Sequence, residues 1–258
     1  MKKNIISSVS NEKIKLLKKM SRKSVRDEIG QFVVENLIII HDAMRAGVKP
    51  AALFISADML KASGKKLQYV LDNTDEFFLI NEKINKYFSV LSKPSGIAAI
   101  FNKQEKKIDF NNSIIYCNAV SDPGNLGTIL RTAIAFDINN VVVDAGCADI
   151  YNPKTINAAK DAIFKINISR DENLKLFEKI KSKLLIFAAD VKGRVDIKDI
   201  GKQRPFCLVL GNEANGVDEQ IASQADKLIS IRTSGKIESL NVAVSAGIIM
   251  HAMWSKKR

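Results

Sequence analysis

Three polar loops, far apart in the chain, hold the residue types that can do chemistry. The first is SDPGNLG, residues 121–127. Pro123 and Gly124 suit a tight turn, and Asn125 suits the N-cap of a following helix. Arg131 lies six residues beyond, among Ala, Ile, Leu and Phe. The second loop is LGNEANGV, residues 210–217. Gly211 and Gly216 let a ligand approach the backbone closely. Glu213, set between Asn212 and Asn215, suits gripping hydroxyls or pairing with an arginine. The third is ISIRTSGKIESLN, residues 229–241. It offers Ser239 or Asn241 as a helix cap and places Glu238 near that helix's positive end. Taken one at a time, each residue also has an ordinary structural reading: a cap, a turn acid, an arginine on an amphipathic helix. No loop has the G-x-x-x-x-G-K-[ST] phosphate cradle, and no G-x-G-x-x-G opens a helix after a strand. Both absences argue against an ATPase or a common dinucleotide enzyme.

The loops need elements to hold them. From residue 113 the chain alternates apolar β-branched runs (SIIYCNAV, VVVDAG, LLIFAAD, FCLVLG, KLISI) with helical stretches at 126–137, about 153–163 and 172–182. That alternation predicts a parallel sheet covered on both faces, with ligands bound beyond the carboxyl ends of its strands. All three loops fall at such ends. The closing SLNVAVSAGIIMHAMW predicts a long helix packed on the sheet through Leu240, Val244, Ile248 and Met250 or Ala252. In the first helix, Ile129, Ala133 and Phe136 are expected inward, with Thr128, Arg131 and Thr132 on the less apolar face. Before this region lies a smaller α/β unit. It has a helix over Asn11–Met20, strands at QFVVEN, ALFIS, EFFLIN and IAAIF, a helix LIIIHDAMRAG closed by Gly47, and a helix from NEKINKYFSVL capped by Asn81. The division is residues 1–101, a polar linker at 102–113, and 114–258.

Charge separates the two units. Of a net +12, residues 1–26 alone contribute +8, with Lys2, Lys3, Lys13, Lys15, Lys18, Lys19, Arg22, Lys23 and Arg26 against Glu12. A basic segment of this kind suits a polyanion or reads as a solvated face. It is too weakly apolar for a membrane surface. No run approaches the ~20 apolar residues of a membrane span, and no apolar stretch marks a signal peptide. Three dispersed cysteines, Cys117, Cys147 and Cys207, fit buried thiols in a reducing cytoplasm. With two histidines and no Cys-x-x-Cys, a metal site is not expected.

Read together and in order, NAVSDPGNLGTILRTAIAFD, LVLGNEANGV and ISIRTSGKIESLNVAVSAG resemble the three motifs of the SpoU/TrmH family of RNA ribose 2′-O-methyltransferases. The resemblance covers about residues 112–258. Residues 7–101, with SNEKIKLL, QFVVEN and KPSGIAAI, resemble more loosely the substrate-binding domain that often precedes it, a small ribosomal-protein-like α/β fold that binds RNA. The resemblance implies a SPOUT fold, a parallel sheet with a C-terminal trefoil knot. It also implies S-adenosylmethionine as cofactor, an RNA partner and a homodimer. By motif position Gly211, Ile231 and Leu240 are expected at the cofactor, and Asn125, Arg131, Glu213, Ser239 and Asn241 among the family's functional polar positions. Arg131 matches the family's proposed base. A guanidinium is a poor base, so holding a phosphate or a developing alkoxide stays open as its role. The pattern departs at Ala214, Arg232, Asn157, Ala159, Asp161 and Asn36. Ribosomal RNA is the expected substrate. Transfer RNA is the alternative, as is a non-catalytic RNA-binding or ribosome-assembly role.

Overall fold

The first element is a strand that the sequence reading did not anticipate. In the computed structural model, which describes residues 2–62, 64–104, 107–200 and 205–254, Lys2–Ile6 forms β1. Glu105 and Lys106 of the expected linker lie outside the described residues. The chain separates into two compact units. One is Met1–Gln104 with Tyr151–Asn157; the other is Glu105–Ile150 with Ala158–Arg258.

In the first unit β1 is followed by α1 (Glu12–Lys19), α2 (Lys23–Ile29), β2 (Gln31–Val34), α3 (Leu37–Arg45), β3 (Ala52–Ser56), α4 (Ala57–Lys61), α5 (Lys65–Asp72), β4 (Glu76–Ile80), α6 (Glu82–Phe88) and β5 (Ile97–Asn102). The sheet order is β1-β4-β3-β5-β2. The pairs β1–β4 and β3–β4 are parallel, and β5 runs antiparallel to β3 and β2. Local chemistry sets the helix starts. Asn11 Oδ1 accepts from Lys13 N at 3.0 Å, and Asn81 Oδ1 accepts from Ile84 N at 2.9 Å. Asn36 accepts from Ile38 N and Ile39 N at 3.0 and 3.3 Å, so it serves as the N-cap of α3. Gly47, at φ +83°, follows α3 in the left-handed region that favours glycine. Ile14 and Leu17 of α1 and Ile84 and Phe88 of α6 share one core with Phe54, Phe78 and Ala98 of the sheet. Arg26 does not belong to the basic surface. It is 4% exposed and donates to the Met20 and Ser21 carbonyls at 2.7 and 2.8 Å.

The second unit runs β6 (Ile114–Cys117), α7 (Pro123–Ala135), β7 (Asn140–Asp144), the end of α8 (Pro153–Ala159, whose first five residues count with the first unit), α9 (Ala162–Lys165), β8 (Asn167–Asp171), α10 (Lys175–Lys181), β9 (Leu185–Ala189), β10 (Val195–Asp196), β11 (Phe206–Leu210), α11 (Glu219–Ala222), β12 (Lys227–Ser230) and α12 (Val242–Met253). All its strand pairs are parallel, in the order β10-β12-β9-β11-β6-β7-β8. The chain leaving β9 therefore reaches the far edge as β10, returns to the centre as β11, and later places β12 between β9 and β10. The central strands β6 and β11 are buried along their whole lengths, as expected for a sheet covered on both faces. Alternate residues (Ile114, Tyr116, Cys207 and Val209) face Phe177 and Ile180 of α10.

Four expectations need correction. The helix expected at 126–137 starts at Pro123, and its cap is Asp122, whose Oδ1 accepts from Asn125 N at 2.8 Å. Asn125 thus sits inside the first turn rather than at the cap. The stretch expected as one helix at 153–163 is broken by Lys160, at φ 56°. Helix α12 buries Ala243, Ala246, Ile249, Met250 and Met253, and leaves Val244 and Ile248 52% and 37% exposed. Of the expected inward positions Met250 is buried, but the rest of the inward stripe runs through Ala243, Ala246, Ile249 and Met253 in place of Val244 and Ile248. Cys117 and Cys207 are buried, but Cys147 is only partly so. Among the described residues, no helix is long and apolar enough to cross a membrane.

Asp171 closes β8 and is 4% exposed. It accepts from the Tyr116 hydroxyl at 3.2 Å and from Leu176 N and Phe177 N at 3.2 and 2.8 Å. Burial, then the charge of Asp171, pushes the Tyr116 hydroxyl above its usual range, so it remains a donor. Replacing Asp171 by Ala orphans three donors and is expected to cost about 3 kcal/mol in urea unfolding. Asp171→Asn, which keeps an acceptor, costs less. A loss below about 0.5 kcal/mol for the alanine variant would show that these bonds do not secure the sheet's edge.

Candidate active site

The three polar loops meet. Glu213, in the loop after β11, reaches the loop after β6. Its Oε1 accepts from Asn125 Nδ2 at 2.9 Å and Asp122 N at 3.2 Å. Its Oε2 accepts from Ser121 N and Ser121 Oγ at 3.3 and 3.2 Å. Asn125 Oδ1 in turn accepts from Asn241 Nδ2 at 2.9 Å. Asn241 Oδ1 caps α12 by accepting from Ala243 N and Val244 N at 2.9 and 3.3 Å. One amide, that of Asn125, therefore links the second and third loops through the first. Of the two alternatives for Glu213, the arginine pair does not form: among the described residues its carboxylate has no ion pair. Burial alone would raise its pKa. The hydrogen bonds from Asn125 and from the backbone N–H groups of Glu213, Asp122 and Ser121 outweigh burial and hold it below the ordinary 4.5.

A second network, which sequence reasoning missed, supports the first. Asp144, at the carboxyl end of β7, accepts from Asn118 Nδ2 at 2.7 Å, Ala119 N at 3.0 Å and Gly146 N at 2.9 Å. These bonds hold Ala119 at φ 53°, a left-handed conformation costly for a residue with a Cβ. Asn118 Oδ1 accepts from Asp218 N at 2.7 Å, and Asn212 Nδ2 donates to the Ala119 carbonyl at 2.8 Å. The available signal was an acid closing the run VVVD beside a strand that ends in Asn. Nothing in either segment alone pairs them.

Beside these networks is a cleft of about 350 Å³, within the range of small-molecule sites. Gly211, Glu213, Ile231, Ser239 and Leu240 all line it. Asn125, Asn241 and Arg131 do not. Gly211 is required there, since an added Cβ would fall 2.1 Å from the Gly216 carbonyl carbon and 2.2 Å from Val217 N. Ala189–Lys192, after β9, also line the cleft and were not anticipated; that strand read only as core. The remaining walls combine apolar Ile229, Val242 and Ile249 with the acids Asp190 and Glu238, against Lys192 as the one basic residue. Such a lining suits a ligand with a flat apolar part, hydroxyls and positive charge. Arg131 is exposed on α7, and its guanidinium forms no hydrogen bond or ion pair among the described residues. Six helical residues separate it from Asn125, about 9 Å along the axis.

Residues 112–251 match the model of the SpoU rRNA Methylase family. Residues 11–99 match that of the MRM3-like substrate binding domain. The chain is 28% identical over 247 residues to the 23S rRNA (guanosine(2553)-2′-O)-methyltransferase RlmP of Bacillus subtilis, covering 95% of this chain and 97% of that one. It superposes on the AdoMet-bound rRNA methyltransferase from Sinorhizobium meliloti with a TM-score of 0.83 and 25% identity, covering 97% of each chain. It shares the fold of the SpoU methyltransferase AviRb from Streptomyces viridochromogenes, with a TM-score of 0.84 at 19% identity over 94% of this chain and 97% of that one.

Because the folded pKa of Glu213 is lowered, its bonds contribute stability that is present above pH 4.5 and lost as pH falls through that value toward the folded pKa. Thermal melts of the wild type and Glu213→Gln between pH 7 and pH 3 should converge in this acid window, since the glutamine has no charge to lose. Parallel curves throughout would mean that the carboxylate charge does not hold the loops together.

Proposed function

The chain belongs to the SpoU rRNA methylase family, and from that premise we propose that it transfers a methyl group from S-adenosylmethionine to a ribose 2′-hydroxyl of ribosomal RNA. The observation that carries this reading is the hydrogen-bonded line Glu213–Asn125–Asn241 beside a cleft walled by Gly211, Ile231 and Leu240. The cleft fits the cofactor by its chemistry. The missing Cβ of Gly211 lets the Gly216–Val217 backbone pack directly against this wall of the cleft, the apolar residues suit an adenine ring, and the surplus of carboxylates suits a sulfonium and an ammonium. S-adenosylmethionine supplies an electrophilic methyl group.

The residues of the chain do the rest. Gly211, Ile231 and Leu240 hold the adenosyl part. Ser239 and Glu213, also in the wall, offer a hydroxyl and a carboxylate to the reacting groups. Asn125 and Asn241 fix those loops, so that oxygen and methyl are held in line, where much of the rate of such a transfer arises. Arg131 acts on the RNA side, either taking up the hydroxyl's proton or neutralising the adjacent phosphate and nascent alkoxide. A guanidinium favours the second, with the hydroxyl's proton then passing to solvent water. The acceptor's 2′-hydroxyl is the group that separates RNA from DNA. Residues 1–101 serve as the RNA-binding domain and 102–113 as a linker, with the basic amino-terminal helices drawing in the phosphate backbone.

We take the working form as a cytoplasmic homodimer. Val244 and Ile248 give α12 an exposed apolar face, and α12 packs against α7, which carries Arg131. Pairing two copies there is an arrangement that can set Arg131 against a cleft it does not line in its own chain. We also take the C-terminal segment to be knotted as a trefoil. The placing of β12 between β9 and β10 supports this, since that closing strand enters between two already laid down.

Two substitutions should split binding from turnover. Gly211→Ala is expected to abolish cofactor binding by calorimetry, because the added methyl collides with the Gly216 backbone. Arg131→Ala should bind cofactor normally while tritiated-methyl transfer to total ribosomal RNA falls at least about 100-fold, the usual scale for losing an acid–base or charge-stabilising group. Near-normal transfer by the arginine variant removes its assigned role. Absence of cofactor binding by the wild type removes the function.

A further inference from the structure

Helices α1 and α6 lie on the same face of the first sheet, their inner sides joined in one core by Ile14, Leu17, Ile84 and Phe88. Their outer sides carry charge. Lys13, Lys18 and Lys83 are exposed and form no ion pair among the described residues, whereas Lys15 and Lys86 are tied to Glu12 and Glu82 at 2.8 and 2.7 Å. Within this basic face sits an aromatic ring the core does not use. Tyr87 is 40% exposed although its neighbour Phe88 is 2% exposed. The Lys18 ammonium is held 5.6 Å from its centroid, within cation–π range.

We propose that Tyr87 is a stacking position for an unpaired base of the RNA, with Lys18 set to take a phosphate of the same nucleotide. The inference rests on the RNA substrate proposed above and adds where and how the amino-terminal unit holds it. Three observations converge. An exposed ring offers its π-face to any base that takes the place of the Lys18 ammonium now lying over it. An ammonium already ordered beside that ring loses little freedom on meeting a phosphate. The surrounding unpaired lysines supply attraction to a backbone. The occupant is single-stranded, because the faces of bases in a duplex are covered by their neighbours and only loops, bulges or ends can splay one out.

The test uses the full chain and fluorescence anisotropy with two probes: a short labelled oligouridine and an RNA duplex of the same length. Tyr87→Ala should weaken oligouridine binding about tenfold and leave duplex binding unchanged. Tyr87→Phe, which keeps the ring, should bind as the wild type does. Lys18→Gln should make the slope of log affinity against log salt shallower by about 0.7, the share of one phosphate contact on a single strand. Wild-type oligouridine affinity in Tyr87→Ala overturns the proposal, as does an equal loss on both probes or a failure of Tyr87→Phe to restore binding. Methyl transfer to ribosomal RNA, assayed on the same wild-type preparation, keeps the two readings apart. The stacking signature without transfer sinks only the enzymatic function, and transfer without the signature sinks only this site.

Discussion

The meeting of the three polar loops depends on one side-chain amide. Asn125 has a donor end and an acceptor end, and both go to residues far away in sequence. Its Nδ2 meets Glu213, 88 residues on, and its Oδ1 meets Asn241, 116 residues on. No aliphatic side chain can do this, and no carboxylate can, because a carboxamide carries its donor on one atom and its acceptor on another and so reaches two partners at once. Glu213 then gathers the turn that precedes α7 by accepting from Ser121 and Asp122. Asn241 starts α12. A polar arrangement so exposed is held by geometry more than by burial, and its neighbours must already be rigid.

Asp144 provides that rigidity. Its carboxylate grips the backbone just where the chain leaves β6, and holds Ala119 in a conformation the residue does not prefer. Asn118 and Asn212 extend the grip to the loop after β11. On the other side, Gly193 lets the chain cross the Ile229 carbonyl carbon so closely that a Cβ would lie 2.6 Å away. The cleft is therefore bounded by backbone that cannot shift, which is what an in-line transfer requires of the groups around it.

Much of this was legible in the sequence, and the limits are physical. The apolar runs of β6, β7, β9, β11 and β12 announce themselves because a strand buried on both faces leaves no room for polar residues. β1 and β8 were missed because KKNII and NISRD sit at sheet edges, where polar residues are tolerated and periodicity fades. The start of α6 followed from Asn81, since capping is a local interaction, and α1 followed from the helical spacing of Ile14, Leu17 and Met20. The start of α7 was misplaced because Asp122 and Asn125 are both good caps, and the choice between them is made by Glu213, a residue no local window contains. The same holds for Asp144 and Asn118. The stripe of α12 was misjudged at Val244 and Ile248, though not at Met250, because the helix is apolar nearly all round and hydrophobicity alone does not mark its inner face.

The insertion of β12 between β9 and β10 has a consequence for how the molecule matures. Contacts spanning this much chain close slowly, because the connecting segments must be ordered before the contacts reward them. Ile231, Leu240 and Ile249 come from the segment that arrives last, so a half-finished molecule presents a shelf and no binding chamber. A ligand that needs both walls adds its binding free energy only to the finished form. The methyl donor would then act as a folding ligand that favours the closed form, and depletion of it would leave a larger share of molecules unclosed.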